Sequence, residues 1–208
     1  MNKNKGKKTS IAAVILAAGA SRRMGQPKQL LPYQGQTLLS HVIKCAIASP
    51  CNPVIVVLGA NTHKIEPIIN HLPVEIAKNT KWNEGISSSI RCGILYIQKH
   101  FLNIDGVVFL ACDQPFITTE IINKLINAYN FGNKPIIASF YQKTVGIPVL
   151  FNRNLFSELT NLNGDHGAKK IVKQYPDLVN IINFPLGKID LDTLKNYQQL
   201  ISGNDLNY

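Results

Sequence analysis

The segment that follows the first apolar run carries the residue types that bind phosphate. Residues 16–28 read LAAGASRRMGQPK, so small side chains precede Arg22, Arg23 and Lys28. Small residues let backbone N–H groups approach a polyphosphate, and basic side chains balance its negative charge. The segment therefore predicts a polyphosphate-binding loop. The alternative is a structural turn whose Arg and Lys side chains are merely solvated.

Two common nucleotide-binding motifs are excluded at this loop. It does not contain GxxxxGK[ST], the phosphate loop of many NTPases, and it lacks the three glycines that open the first helix of a dinucleotide-binding fold. The chemistry of the loop thus indicates a nucleotide site of another kind.

A carboxylate follows the third strongly apolar run, residues 106–111 (GVVFLA). A parallel strand there would place Asp113 at the carboxyl end of a sheet, where α/β proteins bind their ligands. A carboxylate in that position suits Mg²⁺, a hard cation that takes oxygen ligands and keeps several waters. The alternative is a turn aspartate before Pro115.

Taken together, these segments resemble one known family. Residues 16–28 are similar to the LAAGxSxRMGxxK signature of nucleotidyltransferases related to the molybdenum cofactor cytidylyltransferases. The resemblance extends through residues 30–32 (LLP), 84–90 (EGISSSI, similar to the family's GMSSS segment) and 113–115 (DQP), and covers most of the chain. It implies a magnesium-dependent enzyme that moves a nucleoside monophosphate from a nucleoside triphosphate onto a phosphorylated acceptor.

The resemblance implies how the first loop binds nucleotide. Ala17, Ala18 and Gly19 would hold the base and ribose, while Arg23 and Lys28 would clamp the triphosphate and neutralise the leaving pyrophosphate. The implied nucleotide-binding residues are Leu16, Ala17, Ala18, Gly19, Ala20, Ser21, Arg23, Lys28, Gly85, Ser88 and Ser89.

Two further features bear on the nucleotide. Relatives that prefer guanine usually read LAGG at this point, so Ala18 favours CTP. Residues 85–89 precede a helical pattern, and their N–H groups and hydroxyls could hold the base edge and ribose, although a serine-rich helix start is also common. Arg22 occupies a position that varies in the family.

The resemblance also implies the metal site and the catalytic set, which is Arg23, Lys28 and Asp113. In the family the aspartate that matches Asp113 holds the metal. A second ligand, Asp190, comes from residues 190–193 (DLDT), which resemble the family's DIDTPED segment but depart from it after Thr193. We leave Asp192 out of the metal site, since a helix N-cap explains it as well as a functional role.

The acceptor side rests on two weaker matches. Residues 164–170 (GDHGAKK) resemble a GDxGAR segment with Lys169 in place of Arg, which keeps charge but loses bidentate recognition. Residues 146–148 (GIP) resemble a GHP segment with Ile147 in place of His. The implied acceptor-binding residues are Gly146, Pro148, Asp165, His166, Gly167 and Lys169. By resemblance the acceptor is a molybdopterin-type phosphate, and the partner is a molybdoenzyme or its chaperone.

The elements that must position these residues follow a βαβ rhythm. Continuous apolar runs predict buried parallel strands at 11–17, 53–58 and 106–111, and a further strand at 179–184. Helical spacing predicts helices at 38–48, 62–70, 87–99, 118–130, 168–174 and 191–201. Residues 135–140 and 146–151 suggest an inserted strand pair that covers one end of the sheet. The fold class is α/β: a three-layer α/β/α sandwich with a Rossmann-like, mostly parallel sheet, of the nucleotide-diphospho-sugar transferase type.

Length and composition fit one domain. The 208 residues allow a basic flexible tail at 1–10 and a single domain at 11–208. The formal net charge of +10 comes mostly from scattered Lys, so we expect no nucleic-acid partner. No apolar stretch is long enough for a membrane span, so we expect no membrane partner. The four cysteines lack the spacing of a metal site and suit a reducing compartment, so we expect a cytoplasmic protein.

Two other functions stay open, and a third lacks support from the sequence. The same fold serves many acceptors, so a guanylyl or other nucleotidyl transfer to a sugar phosphate or alkyl phosphate is possible. A non-catalytic chaperone that holds the molybdenum cofactor would use the same pocket without turnover. A nicotinamide-dependent oxidoreductase has no three-glycine turn to support it.

Overall fold

The computed structural model describes residues 9–202, and most of its strands lie in one sheet. In chain order the strands are β1 (Ile11–Ala17), β2 (Pro32–Tyr33), β3 (Gln36–Thr37), β4 (Val54–Leu58), β5 (Glu75–Lys78), β6 (Gly106–Ala111), β7 (Ile136–Tyr141), β8 (Thr144–Asn152) and β9 (Val179–Asn183). The helices are α1 (Leu38–Ile47), α2 (Thr62–Ile69), α3 (Ile86–His100), α4 (Thr119–Phe131), α5 (Phe156–Thr160), α6 (Lys169–Gln174) and α7 (Leu194–Ile201).

The main sheet has seven strands in the order β5-β4-β1-β6-β8-β7-β9. Strand β8 is antiparallel to β6 and β7, and the other neighbouring pairs are parallel. Leu16 is in register with Val57 on one side and Ala111 on the other, so β1, β4 and β6 end at the same edge. The chain segments that follow these three strands therefore meet there.

Helices cover both faces of the sheet, because its central strands are apolar on both sides. Side chains of β1 alternate between two buried clusters: Ile15 packs with α1, α2 and α4, while Val14 packs with α3, α5 and α6. The structure thus confirms the predicted three-layer sandwich with a mostly parallel sheet. The predicted helices and strands outside residues 135–151 also form, with bounds that shift by three residues at most.

The interpretation of residues 135–151 as an inserted pair covering the sheet is wrong. Strand β8 lies inside the main sheet, where Val107 of β6 is paired with Phe151. The physical reason is that Ile137, Val149 and Leu150 are buried, and only a sheet with helices on both faces can bury such strands fully.

Four further features differ from the prediction or were missed, and one of them is the short helix α5. The edge strand β5 and the short β2–β3 hairpin were not predicted, since neither has a long apolar run. Helix α7 begins at Leu194 rather than at residue 191, because Thr193 is its N-cap and its hydroxyl accepts a hydrogen bond from Asn196 N at 3.2 Å.

The chain ends are only partly described. The predicted tail lies mostly at residues 1–8, outside the described residues, as do residues 203–208. Ser10 N donates to Asp105 Oδ2 at 2.9 Å, which ties the start of β1 to the start of β6. Within residues 9–202, no helix combines the length and the hydrophobicity that crossing a membrane requires.

Candidate functional site

The loop after β1 is compact, because a short turn and a hydrogen bond fold it back on itself. Ser21 and Gly25 adopt left-handed backbone conformations, with φ of 53° and 68°, on either side of a short 3₁₀ turn at Arg22–Met24. Ser21 Oγ accepts a hydrogen bond from Lys28 N at 3.0 Å and so closes the loop. Met24 is buried beneath it. These contacts bring Lys28 back towards the carboxyl end of β1.

Gln29 anchors this loop, although the sequence analysis did not single it out. Its side chain is fully buried, and Nε2 donates to Ala17 O at 2.8 Å and to Gly19 O at 3.0 Å. Its Oε1 accepts from Ser21 Oγ at 3.3 Å. The amide thus satisfies carbonyl groups that have no strand partner. The available signal was a polar residue between Lys28 and the apolar Leu30.

The basic side chains of the loop meet carboxylates from two distant segments. Lys28 Nζ donates to Asp113 Oδ2, and it also lies 3.3 Å from Asp192 Oδ1. Asp192 Oδ2 accepts from the Arg23 guanidinium at 2.9 Å. We call Arg23, Lys28, Asp113 and Asp192 the ion-pair cluster. The cluster joins the loop after β1 to the segment after β6, and the sequence predicted that these two segments bind the same ligand.

Burial and charge act in opposite directions on the pKa values of this cluster. Burial alone would lower the pKa of Lys28, but the negative charge and hydrogen bond of Asp113, together with the charges of Cys112 and Asp192, outweigh it and the pKa is raised. Partial burial would raise the pKa of Asp192, but Lys28 and Arg23 hold it below its usual value. Lys28 is therefore a permanent cation in this site, and Asp192 a permanent anion near neutral pH.

Asp192 does not cap a helix, which was one of the two explanations that its sequence context allowed. Thr193 caps α7, whereas Leu191 N donates to Asp113 O at 3.0 Å and Asp192 N donates to Asp190 O at 3.1 Å. This backbone pairing holds the segment 190–192 against the end of β6. Asp190 and Asp192 are thereby placed next to Asp113.

The chemistry of Asp113 and Asp190 suits a divalent cation. Burial of the Asp190 carboxyl and the nearby negative charge of Asp113 raise the pKa of Asp190 to about 7. Two carboxylates that repel each other in this way are neutralised by a hard cation with oxygen ligands. Within residues 9–202 no group of three or more His, Cys, Asp or Glu side chains could hold a metal. A cation here would take its remaining ligands from water or phosphate, as Mg²⁺ commonly does.

A cavity of about 370 Å³ opens beside the loop, at the carboxyl edge of β1 and β6. This volume is in the range of small-molecule sites. Of the predicted nucleotide-binding and catalytic residues, those that line it are Leu16, Ala18, Gly19, Ala20, Lys28, Gly85, Ser89 and Asp113. Ala17, Ser21, Arg23 and Ser88 do not line it, although Ala17 ends β1 and Ser21 and Arg23 belong to the loop that follows. Lining residues that the prediction did not include are Arg22, Gln29, Trp82, Asn83, Ile86, Ala111 and Cys112.

The serines at the start of α3 are engaged within the protein. Ser88 Oγ donates to Gly85 O at 2.8 Å, and Asn79 Nδ2 donates to Ser88 Oγ at 2.8 Å and to Ser89 Oγ at 3.1 Å. Ser87 Oγ donates to His166 O at 2.7 Å. No local pattern indicated a role for buried Asn79, whose Oδ1 also accepts from Lys81 N at 2.9 Å, because its serine partners lie in a different segment. Because the serine hydroxyls are engaged in these bonds, the backbone of Gly85 is better placed than the hydroxyls to contact a ligand.

The predicted acceptor-binding residues fall in two separate places. Residues 164–167 pack on the start of α3: a Cβ on Gly85 would overlap the Asp165 carboxyl, and Gly85 has φ of 93°, so a side chain there is excluded. Gly167 lies against the Ile86 side chain, whereas Lys169 is exposed. The His166 carbonyl oxygen accepts a hydrogen bond from Ser87 Oγ, so this loop packs on the start of α3, where Gly85 and Ile86 line the cavity.

The second acceptor segment lies on β8 near Asp190. Tyr141 packs so closely on Gly146 that a Cβ there would overlap its hydroxyl. Buried Gln114 donates from Nε2 to Ile147 O at 3.1 Å and to Gly187 O at 2.9 Å. Pro148 is buried, and its carbonyl accepts from Ser139 Oγ at 2.6 Å. Gln114 belongs to the DQP segment, which predicted no role for this side chain. The structure makes it the link between the end of β6 and the acceptor strand.

The arrangement combines cations, carboxylates and a cavity at one edge of a parallel sheet. Arg22 and Lys28 can neutralise phosphate oxygens, and Asp113 and Asp190 would hold a divalent cation that supplies further positive charge there. Trp82 and the backbone at Gly85 offer a surface for a flat group on the other side of the cavity. The site can therefore bind a nucleoside polyphosphate together with a divalent cation.

Comparison with known proteins identifies a nucleotidyltransferase family. Residues 13–179 match the family described as the MobA-like NTP transferase domain. The chain is 29% identical over 203 residues to the nicotine blue oxidoreductase of Paenarthrobacter nicotinovorans, covering 92% of this chain and 96% of that protein. It is 29% identical over 176 residues to the molybdenum cofactor cytidylyltransferase of Escherichia coli strain K12, covering 78% and 86%.

A solved structure has the same fold. The crystal structure of Rv0371c from Mycobacterium tuberculosis H37Rv in complex with manganese superimposes with a TM-score of 0.77 at 26% identity, covering 93% of this chain and 99% of that one. The fold of the chain is therefore that of a protein whose crystals contain a divalent cation.

Proposed function

We propose, from the premise that the chain belongs to the MobA-like NTP transferase domain family, that it transfers CMP from CTP to the phosphate of a molybdopterin-type acceptor and releases pyrophosphate. Nucleotidyl transfer follows from the family, whereas CTP, the acceptor and Mg²⁺ are the proposal. The observation that carries it is the contact of Lys28 with Asp113 at the wall of a 370 Å³ cavity, since a triphosphate clamp and a metal ligand must meet at one nucleotide.

The proposed roles divide the site between nucleotide and pyrophosphate. Lys28 and Arg23 bind the β- and γ-phosphates and neutralise the leaving pyrophosphate. The backbone at Ala18, Gly19 and Gly85 holds ribose and base. Asp113 and Asp190 hold a divalent cation, proposed to be Mg²⁺, which would supply charge neutralisation at the phosphate oxygens.

The transfer step needs orientation more than a base. An acceptor phosphate is already an anion near neutral pH, so its oxygen can attack the α-phosphorus without losing a proton. The bond that forms joins that oxygen to the α-phosphorus, and the bond that breaks joins the α-phosphorus to the bridging oxygen of pyrophosphate. Two segments are proposed to orient the acceptor phosphate for attack on the α-phosphorus. They are residues 165–167 and the part of β8 that contains Gly146 and Pro148.

The choice of substrates has its own support. Ala18 stands where guanine-preferring relatives usually have Gly, and a relative that covers 78% of the chain is a molybdenum cofactor cytidylyltransferase. Both favour CTP and a molybdopterin-type acceptor. The four cysteines of the chain are free thiols, which suits the reducing cytoplasm. The product would pass to a molybdoenzyme or to its chaperone.

Pyrophosphate release tests the proposal. Each of CTP, GTP, ATP and UTP is combined with Mg²⁺ and with a molybdopterin-type phosphate, a sugar phosphate or an alkyl phosphate. We expect release with CTP and the pterin phosphate. Release with a different pair would replace the substrates but keep the reaction class, and no release with any pair would contradict nucleotidyl transfer by this protein.

A second candidate is supported by the relative named nicotine blue oxidoreductase, which matches 92% of the chain. The same preparations are therefore assayed for oxidation of NADH and NADPH in the presence of nicotine blue. We expect no nicotinamide oxidation, because the loop after β1 has no three-glycine turn. Binding of the pterin phosphate without pyrophosphate release would instead favour the cofactor-binding chaperone.

A further inference from the structure

Asp192 contacts both cations of the proposed triphosphate clamp, each through a different oxygen. Its Oδ2 lies 2.9 Å from the Arg23 guanidinium, and its Oδ1 lies 3.3 Å from Lys28 Nζ. We infer that Asp192 is a positioning residue, which holds Arg23 and Lys28 side by side and gives way to phosphate oxygens when a polyphosphate binds. This inference rests on the proposed function, and it adds a role for a carboxylate that the sequence analysis left outside the site.

The backbone fixes the Asp192 carboxylate in this place. Leu191 N donates to Asp113 O at 3.0 Å, and Asp192 N donates to Asp190 O at 3.1 Å. The next residue, Thr193, supplies the N-cap of α7. The Asp192 side chain therefore has no capping bond to maintain, and its described partners are the two cations.

Differences in exposure show where the cluster can open. The side chain of Lys28 is 16% exposed and that of Asp113 20%, whereas Asp192 is 42% and Arg23 71% exposed. The Asp192–Arg23 pair is thus the outer part of the cluster, and Lys28–Asp113 the inner part. Exposed ion pairs contribute little free energy and exchange partners easily. The outer pair is the part that phosphate oxygens can replace.

The charge of Asp192 predicts whether its removal strengthens or weakens polyphosphate binding. A polyphosphate has to compete with Asp192 for Arg23 and Lys28, and it is also repelled by the carboxylate. Removing that negative charge should therefore strengthen binding of a polyphosphate in the absence of a divalent cation. A purely structural role predicts the opposite, because loosening residues 190–193 would disturb the site and weaken binding.

The test measures affinity for inorganic tripolyphosphate and for CTP in EDTA by titration calorimetry. Asp192→Asn should bind tripolyphosphate about fivefold more tightly than the unmodified protein, as expected for the loss of exposed ion pairs. Asp192→Glu keeps the charge and should restore an affinity close to the original. The gain should shrink as salt is raised, because screening weakens exposed pairs.

Asp177→Asn is the matched control for the change in net charge. Asp177 is exposed and directly precedes β9, whose first residue Val179 is paired with Ile136 at the amino end of β7. It therefore lies at the opposite edge of the sheet from the cluster. We expect the affinity of this variant for tripolyphosphate to stay unchanged, and circular dichroism checks that all three variants are folded.

The outcomes separate the inference from the proposed function. If the unmodified protein binds tripolyphosphate and CTP but Asp192→Asn binds equally or more weakly, the role of Asp192 is overturned and the proposed function stands. An equal gain in Asp177→Asn would also overturn it, since net charge alone would then explain the effect. If the unmodified protein binds neither probe, with or without Mg²⁺, both the inference and the proposed function fail.

Discussion

Lys28 and Asp113 are 85 positions apart in the chain, and their charged groups are in direct contact at the carboxyl edge of the sheet. The contact forms because β1 and β6 are neighbours in register, so the segments after both strands end at the same edge. Each side chain is mostly buried, and Lys28 has a second carboxylate partner in the more exposed Asp192. Under the proposed function, this contact places the phosphate-binding cation directly beside a ligand of the divalent cation.

Loss of the Lys28 charge should abolish efficient transfer. Lys28→Met keeps most of the side-chain volume but removes the group that neutralises the leaving pyrophosphate, so we expect kcat for pyrophosphate release to fall by about 100- to 1,000-fold. Lys28→Arg should retain part of the activity because it keeps the charge. Steady-state kinetics with CTP measures both variants.

Lys44→Met is the control for this change, because Lys44 is exposed on α1. Its kinetics should match those of the unmodified protein. Comparable kcat values for Lys28→Met and Lys44→Met would show that Lys28 takes no part in transfer.

Removal of divalent cations should stop the reaction, and the activation by these cations should require the Asp113 carboxylate. EDTA is expected to abolish pyrophosphate release, and excess Mg²⁺ or Mn²⁺ to restore it. Asp113→Asn should reduce turnover by at least about 100-fold at any cation concentration, because a neutral amide cannot balance the cation. Stopped assays across a range of Mg²⁺ concentrations provide the measurement.

Asp177→Asn serves again as the control that preserves the site. Should Asp113→Asn leave nucleotidyl transfer and its Mg²⁺ dependence intact, the assignment of Asp113 to the metal would be wrong.

The sequence predicted those site residues that act through their own charges. Lys28 and Asp113 stand in recognisable motifs directly after apolar strands, so their types and positions were sufficient. The three-layer fold was predicted for a similar reason, since buried strands and amphipathic helices have periodic signatures. The position of β8 was missed because an apolar run does not reveal which strand it will join.

The residues that were missed act through partners that no local pattern shows. Gln29 matters because its amide reaches the carbonyls of Ala17 and Gly19 behind it. Asp192 matters because Arg23, 169 positions earlier, folds onto it. The sequence allowed Asp192 to be either a helix N-cap or a functional residue, and the structure shows that Thr193 is the cap and that Asp192 pairs with Arg23 and Lys28.

Cys51 should resist alkylation in the folded protein. Burial raises the pKa of its thiol to about 11 from the ordinary 9.0. A raised pKa lowers the reactive thiolate, so at pH 8 about 0.1% of Cys51 is ionised, compared with about 10% for an unshifted thiol. Treatment with iodoacetamide at pH 8, followed by mass spectrometry of the Cys51 peptide, should show little labelling in buffer and complete labelling in urea. Rapid labelling of the native protein would contradict the burial of this thiol.

Gln29→Leu should destabilise the protein and weaken nucleotide binding together. Leucine fills a similar volume but leaves the carbonyls of Ala17 and Gly19 without a donor, so we expect the free energy of unfolding to fall by about 2–4 kcal/mol. The loop would then lose its fixed shape, and KM for CTP should rise more than kcat falls, because Lys28 keeps its charge. Urea unfolding and steady-state kinetics measure the two effects.

The matched control is Gln26→Leu in the same loop, since Gln26 is exposed and no buried carbonyl depends on it. Surface changes of this kind usually alter stability by less than about 0.5 kcal/mol. Because both variants replace glutamine by leucine three residues apart, a difference between them isolates the buried hydrogen bonds. Equal stability and equal KM for the two variants would mean that the amide of Gln29 does not hold the loop.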